Sequence, residues 1–285
     1  MKFLTLLLFL LPGFALADRQ EIRLGDRAYV IDLPARAVGA PLILVLHGGG
    51  GSPAQIARNS GFSLPANKAG YAVIYPEGSG RIKTWNGGYC CGFAQRNKVD
   101  DIAFLDLAIK DAGKRFKLNT DRLYLTGMSN GSLMVEAYAA SKPRRVKAVA
   151  GVSGTLDIAS FPVRGQVALL HIHGTADTQV PYAGGLPTDG FTDTHFSAVT
   201  EVVDAFVQRW GTGLMRTSRT LDRFDDGTKV TIENWTQKGR VVVRLITVEN
   251  GGHVWPGGRR AGRQGGQTQE ISANDEILRF FAQFP

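Results

Sequence analysis

The chain has 285 residues, 44% of them hydrophobic and 9% aromatic, which is enough to build one sizeable core of the large α/β type. Its 33 lysines and arginines outnumber 25 aspartates and glutamates, for a formal charge of +8, but no basic stripe interleaved with aromatics marks a nucleic-acid partner. The excess reads as a solvated, arginine-rich surface, and no repeat, low-complexity linker or domain boundary divides the chain.

Residues 1–17 read as a secretory signal. Met1-Lys2 is a short positive start, Phe3 to Leu11 is an apolar run, and Ala15-Leu16-Ala17 is a small-x-small cleavage site. The apolar run is too short to span a bilayer and Pro12-Gly13 interrupts it. No cysteine follows the cleavage site to carry a lipid, and no later stretch is apolar enough for a membrane segment. A mature domain of residues 18–285 is therefore expected, exported to the periplasm or the medium, with no stable membrane anchor.

Arg27 to Leu33 alternates and stops before Pro34, which predicts an edge strand. Leu42 to Leu46 is a continuous apolar run, as in a strand buried on both faces. It leads into His47-Gly-Gly-Gly-Gly51 and then a helix start, with Ser52 as cap, Pro53 at the first helical position and Gln55 three residues after the cap. Glycines between a central strand and a helix can present bare N–H groups to an oxygen atom, and Gly49 or Gly50 is the expected oxyanion donor. The loop could instead cradle phosphate, but it has neither a Gly-x-Gly-x-x-Gly spacing nor a Gly-Lys-Ser/Thr ending.

Ala72 to Tyr75 is the next predicted strand. The loop Trp85-Asn-Gly-Gly-Tyr-Cys90-Cys91-Gly92 then carries the only two cysteines. In an exported chain a pair implies a disulfide, yet adjacent Cα atoms lie about 3.8 Å apart, below the usual range, so a vicinal bridge would be strained. Two thiols, or a bridge between chains, are the alternatives; without other soft ligands the pair makes a poor metal site. Asp101 to Phe116 has helical periodicity. Asp100 and Asp101 read as its amino-terminal cap rather than as a paired acid/base site.

Arg122 to Thr126 predicts a strand, followed by Gly127-Met-Ser129-Asn-Gly131 and a helix to about Ala140. A serine in a sharp strand-to-helix turn needs small neighbours two residues either side, and the helix start offers the Asn130 N–H to a developing oxyanion. Val146 to Val152 and Val167 to Ile172 predict two more strands. The second delivers Asp177 in a Gly-x-x-Asp turn, where an acid can hold a histidine tautomer; Asp157 is the reserve. His171 reads as a core histidine and His173 as a neighbour of the site. Ala183 to His195 predicts a loop over the site, and Glu201 to Trp210 a helix. Lys229 to Trp235 and Val241 to Val248 predict two final strands. The last delivers His253 on a glycine-flanked loop, placed to serve as a base, and Ser272 caps a closing helix. Trp255, Tyr182 and Trp85 are expected to contact substrate.

Ser129, Asp177 and His253 stand in the nucleophile–acid–base order of an α/β-hydrolase fold: a mostly parallel central sheet with helices on both faces, in a single domain. The chain also resembles the exported polyhydroxybutyrate depolymerase/feruloyl esterase family, LpqC-like esterases among them. The residues that carry the resemblance are Leu46-His-Gly-Gly-Gly50, Trp85-Asn86 with Cys90-Cys91-Gly92, Val99-Asp-Asp-Ile102, Gly127-Met-Ser-Asn-Gly131, His173-Gly-Thr-Ala-Asp177 with Val180-Pro-Tyr182, and Gly252-His-Val-Trp-Pro256. The resemblance implies a carboxylic-ester hydrolase with those three catalytic residues, and the chemistry needs no metal or organic cofactor. No appended substrate-binding domain is visible, so a small ester or soluble oligomer is the expected substrate. A serine peptidase on the same fold, or a catalytically silent binding protein, is the alternative reading.

Overall fold

The computed structural model describes residues 19–189, 193–259 and 266–285, so the signal at residues 1–17 and part of the expected loop, residues 190–192, lie outside it. The strands are β1 (Gln20–Leu24), β2 (Arg27–Asp32), β3 (Pro41–Leu46), β4 (Ala72–Pro76), β5 (Asn119–Met128), β6 (Ala148–Val152), β7 (Ala168–Gly174), β8 (Met215–Leu221), β9 (Lys229–Gln237) and β10 (Arg240–Glu249). The helices are α1 (Pro53–Ser60), α2 (Ser63–Lys68), α3 (Gly92–Arg96), α4 (Asp101–Phe116), α5 (Asn130–Ser141), α6 (Val199–Val207) and α7 (Ala273–Phe281).

Among the described residues, the ten strands join one sheet in the order β1-β2-β4-β3-β5-β6-β7-β10-β9-β8. The six from β4 to β10 are parallel, and antiparallel pairs extend both edges. The side-chain period of two divides each central strand between two cores. In β3, Leu42, Leu44 and Leu46 pack with α4, α5 and α6, whereas Ile43 and Val45 pack with α1, α2 and α7. Helices thus cover both faces, which is what lets β3 read as an unbroken apolar run. Ser52 Oγ accepts from the Gln55 N–H and Asp100 Oδ1 from the Ala103 N–H, as the capping patterns predict.

β2 is not an edge strand. β1 pairs with one side of it and β4 with the other. Its charged ends are absorbed by long-range partners. Arg27 makes an ion pair with Asp101 at 2.8 Å and lies over the Phe104 ring, 3.4 Å from its centroid, while Asp32 is paired with Arg19. The outer strand β8 is exposed along almost its whole length and carries no apolar alternation to betray it, while in β1 only Ile22 and Leu24 turn toward the core, too short a pattern to mark a strand. Among the described residues, no helix is long and apolar enough to cross a membrane.

Candidate active site

Parallel strands send the loops at their carboxyl ends to one edge of the sheet, and this positions the site. The glycine loop follows β3, Ser129 follows β5, Asp177 follows β7 and His253 follows β10; β3 pairs with β5, and β7 with β10. At the elbow Ser129 has φ +56° and ψ −126°, a sparsely populated conformation for a residue with a side chain, costing roughly 1–3 kcal/mol. Its neighbours explain the two glycines. A Cβ on Gly127 would sit 2.5 Å from the Gly131 carbonyl oxygen, and one on Gly131 would sit 2.4 Å from that of Leu46. The Ser129 N–H donates to the Val152 carbonyl at 2.9 Å, locking the turn onto β6.

The loop after β3 lies against the elbow; a Cβ on Gly48 would be 3.2 Å from the Ser129 Cβ. His47 clamps this loop. Its Nε2 accepts from the Gly78 N–H at 3.0 Å, so Nδ1 carries the hydrogen and donates to the Gly48 carbonyl at 2.7 Å. Burial lowers the pKa of this ring to about 4, which keeps it neutral. The Gly49 N–H has no acceptor among the described residues, and the Asn130 N–H, first in α5, has none within its helix. Gly50 is corrected as a donor: its N–H is already given to the Lys83 carbonyl at 2.8 Å.

Trp85 is also corrected. The side chain is fully buried beneath the loops, with Nε1 donating to the His47 carbonyl at 2.9 Å. Its backbone exchanges two hydrogen bonds with the Asn130 amide, at 2.7 and 2.9 Å, tying the glycine loop to the elbow instead of facing substrate. Tyr182 likewise turns inward, its hydroxyl on Thr247 and its ring edge-on to His173. Trp255 does line the cleft, with Nε1 held by Asn274. Cys90 and Cys91 form a vicinal disulfide. Asp157 holds the Tyr89 and Ser160 amides, a loop staple and not an acid for the site.

Asp177 is buried and accepts at Oδ1 from the Gln179 and Val180 N–H groups, both at 2.9 Å. Its Oδ2 faces His253 Nδ1 at 2.8 Å and His173 Nε2 at 3.3 Å. Burial pushes this carboxyl upward, but the hydrogen bonds from His173 and His253 outweigh it and hold the group well below the usual carboxylate range. An ionised Asp177 accepts from His253 Nδ1, which leaves the Nε2 lone pair free. The loops bearing the pair touch closely: the Ala176 N–H donates to the Gly251 carbonyl at 2.9 Å, and a Cβ on Gly174 would be 2.2 Å from that oxygen. Ser129, His253 and Trp255 line one cleft of about 140 Å³. A second, of about 660 Å³, also reaches Ser129 and is lined by Gly49, Asn130 and the Cys90–Cys91 bridge.

Behind Asp177 runs a buried chain that the single sequence does not announce. His173 Nε2 also faces the Val180 carbonyl at 2.8 Å; both its partners are acceptors, so Nε2 carries the hydrogen. His173 Nδ1 meets His171 Nε2 at 3.2 Å, and His171 Nδ1 meets Glu136 Oε1 of α5 at 2.8 Å. The two rings stack at 7°. The available signal was His171 and His173 two apart on one strand, hence on one face. No group of three or more His, Cys, Asp or Glu side chains among the described residues could hold a metal ion.

The profile of the family described as Esterase PHB depolymerase matches residues 27–188. NocK of Nocardia uniformis subsp. tsuyamanensis, an esterase by name, is 30% identical over 87% of this chain and 75% of its own length. Feruloyl esterase B of Talaromyces stipitatus is 26% identical, over 52% of this chain and 43% of its own. In three dimensions the chain is similar to an acetyl xylan esterase from Aspergillus awamori, with TM-score 0.62, 12% identity, and coverage of 93% of this chain and 99% of the other. That likeness shows the shared fold alone. The chain belongs to the esterase PHB depolymerase family, as a carboxylic-ester hydrolase of the α/β-hydrolase fold.

Proposed function

We propose that the protein cleaves its esters by two-step acyl transfer, with Ser129 as nucleophile, His253 as base and Asp177 as the acid that orients it. The observation that carries this reading is the Asp177–His253 hydrogen bond in a cleft that Ser129 shares. His253 Nε2 takes the hydroxyl proton as Ser129 Oγ bonds to the ester carbonyl carbon. The Gly49 and Asn130 N–H groups hold the resulting oxyanion. The tetrahedral carbon then expels the alcohol, which leaves with the proton from His253. Water repeats the sequence: it gives a proton to His253, attacks the acyl-enzyme, and releases the acid as Ser129 regains its hydrogen. Asp177, held as a carboxylate, stabilises the imidazolium in both steps.

Methyl ferulate, soluble 3-hydroxybutyrate oligomers and short p-nitrophenyl esters are the substrates to test first, as the relatives and the family description suggest. The decisive comparison is turnover by the wild type against Ser129→Ala. The variant should lose at least about a thousandfold in kcat while its circular dichroism is unchanged. Equal turnover by the two proteins would remove Ser129 from the mechanism. Turnover of amides but not esters would favour a serine peptidase on this fold, and failure of a fluorophosphonate to label Ser129 would favour a silent binding protein.

A further inference from the structure

The two clefts that meet at Ser129 differ in a way that separates the two halves of the ester. In acyl transfer the leaving oxygen must reach His253 to receive its proton, so the alcohol belongs in the cleft that His253 lines. That is the smaller one, about 140 Å³. The larger, about 660 Å³, is lined by Gly49 and Asn130 but not by His253, and falls to the acyl group.

The wall of the larger cleft has a definite chemistry. Ile82, Phe93, Leu133 and Phe196 make it mainly apolar, and Ile82 and Phe93 stay 66% and 42% exposed at its mouth. Exposed apolar side chains beside a cleft suit contact with an apolar ligand. Its charged lining consists of Arg81 and Arg96, with no carboxylate. Both guanidinium groups are exposed, and neither has an acidic partner among the described residues. Some arginines elsewhere are committed to carboxylates, Arg27 to Asp101, Arg115 to Asp111, Arg223 to Glu270 and Arg244 to Glu276; Arg81 and Arg96 are not. Guanidinium is the side chain best shaped to grip a carboxylate.

We infer that the acyl half of the substrate is an apolar chain or ring ending in an anionic group, a carboxylate, which Arg81 and Arg96 receive at the mouth of the larger cleft. This rests on the reading of Ser129 as the nucleophile and His253 as the proton donor to the alcohol. It narrows the substrate class to half-esters of apolar dicarboxylic acids. A feruloyl group supplies the apolar body without the carboxylate, and a hydroxyacid oligomer carries its carboxylate on the alcohol side.

The test compares two acyl donors with the same leaving group: the mono-4-nitrophenyl ester of suberic acid, and its neutral methyl 4-nitrophenyl diester. Ser129→Ala serves as the blank. The wild type should favour the anionic ester by about tenfold in kcat/KM at low salt, the sum of two exposed charge contacts, and the preference should shrink as potassium chloride is added. In the double variant Arg81→Gln, Arg96→Gln the ratio should fall to near one, mainly through a higher KM for the anionic ester. A wild-type ratio of one, or a ratio the double variant leaves intact, would overturn the inference while leaving serine-dependent ester hydrolysis standing. A preference for carboxylate on the alcohol half, read with the octanoyl ester of 4-hydroxybenzoate against that of its methyl ester, would overturn it too. Loss of all serine-dependent turnover would instead overturn the acyl-transfer reading and this inference with it.

Discussion

His47 makes the stability of the site loop depend on pH in a way that can be calculated. The ring is buried and accepts from the Gly78 N–H at Nε2 while donating from Nδ1 to the Gly48 carbonyl. A second proton at Nε2 would set donor against donor. Burial is the main reason that the folded-state pKa falls to about 4, against about 6.5 in the unfolded chain. Between those values the unfolded chain binds more protons, so stability falls as the pH drops from about 6.5 to about 4 and then levels off. A gap of roughly 2.5 units corresponds to a loss of about 3 kcal/mol by pH 4. Urea unfolding of the wild type and His47→Gln at half-unit steps from pH 7.5 to 3.5 isolates this contribution. Glutamine keeps a neutral acceptor for the Gly78 amide but takes no proton, and the carboxylates common to both proteins cancel in the difference. The wild type should therefore lose about 3 kcal/mol more than the variant across this window. Parallel pH profiles would refute the reasoning. Should the variant fail to fold, the Cε1 proton of His47 in the wild type provides the same test by NMR, and a titration midpoint near 6.5 would be equally fatal.

Two further perturbations probe the elbow and the chain behind it. Gly131→Ala places a Cβ 2.4 and 2.6 Å from the Leu46 and His47 carbonyl oxygens; since both are backbone, α5 or β3 must move, costing at least about 2 kcal/mol. Thermal unfolding and ester turnover should both drop, and a variant as stable as the wild type would show that the close approach is not required. His171→Leu leaves Glu136 Oε1 and His173 Nδ1 buried without their partner, at a cost of about 2–4 kcal/mol in urea unfolding at pH 7. A loss under about 1 kcal/mol would mean that these groups find other partners.

The elements that build the central sheet are legible because each buries a regular pattern. β3, β6 and β7 are short apolar runs, β5 and β10 are apolar over most of their buried stretches, and α4 and α7 announce themselves by periodicity and by their caps at Asp100 and Ser272. Ser129, Asp177 and His253 are legible for a related reason: each follows such a run, on a turn whose small residues leave the backbone room. Where polar residues replace the pattern, the reading fails. β8 is a solvated edge strand without alternation, β1 alternates over only Ile22 and Leu24, and the stop at Pro34 made an edge of β2 because Arg27 and Asp32 gave no sign of being buried.

Local sequence thus determined which segments form strands, helices and turns, since burial periodicity, caps and glycine spacing act over a few residues. It also determined the identity and order of the groups offered at the sheet's edge. Tertiary structure decided what each group does there. Gly49 is left open while Gly50 is occupied by Lys83, and Trp85 is turned inward to bind His47 and Asn130. Asp177 is joined both to His253, 76 residues away, and to a buried chain that begins in α5 at Glu136. A donor's or acceptor's partner comes from whichever distant segment the sheet order brings beside it, and that order is a property of the whole packed chain.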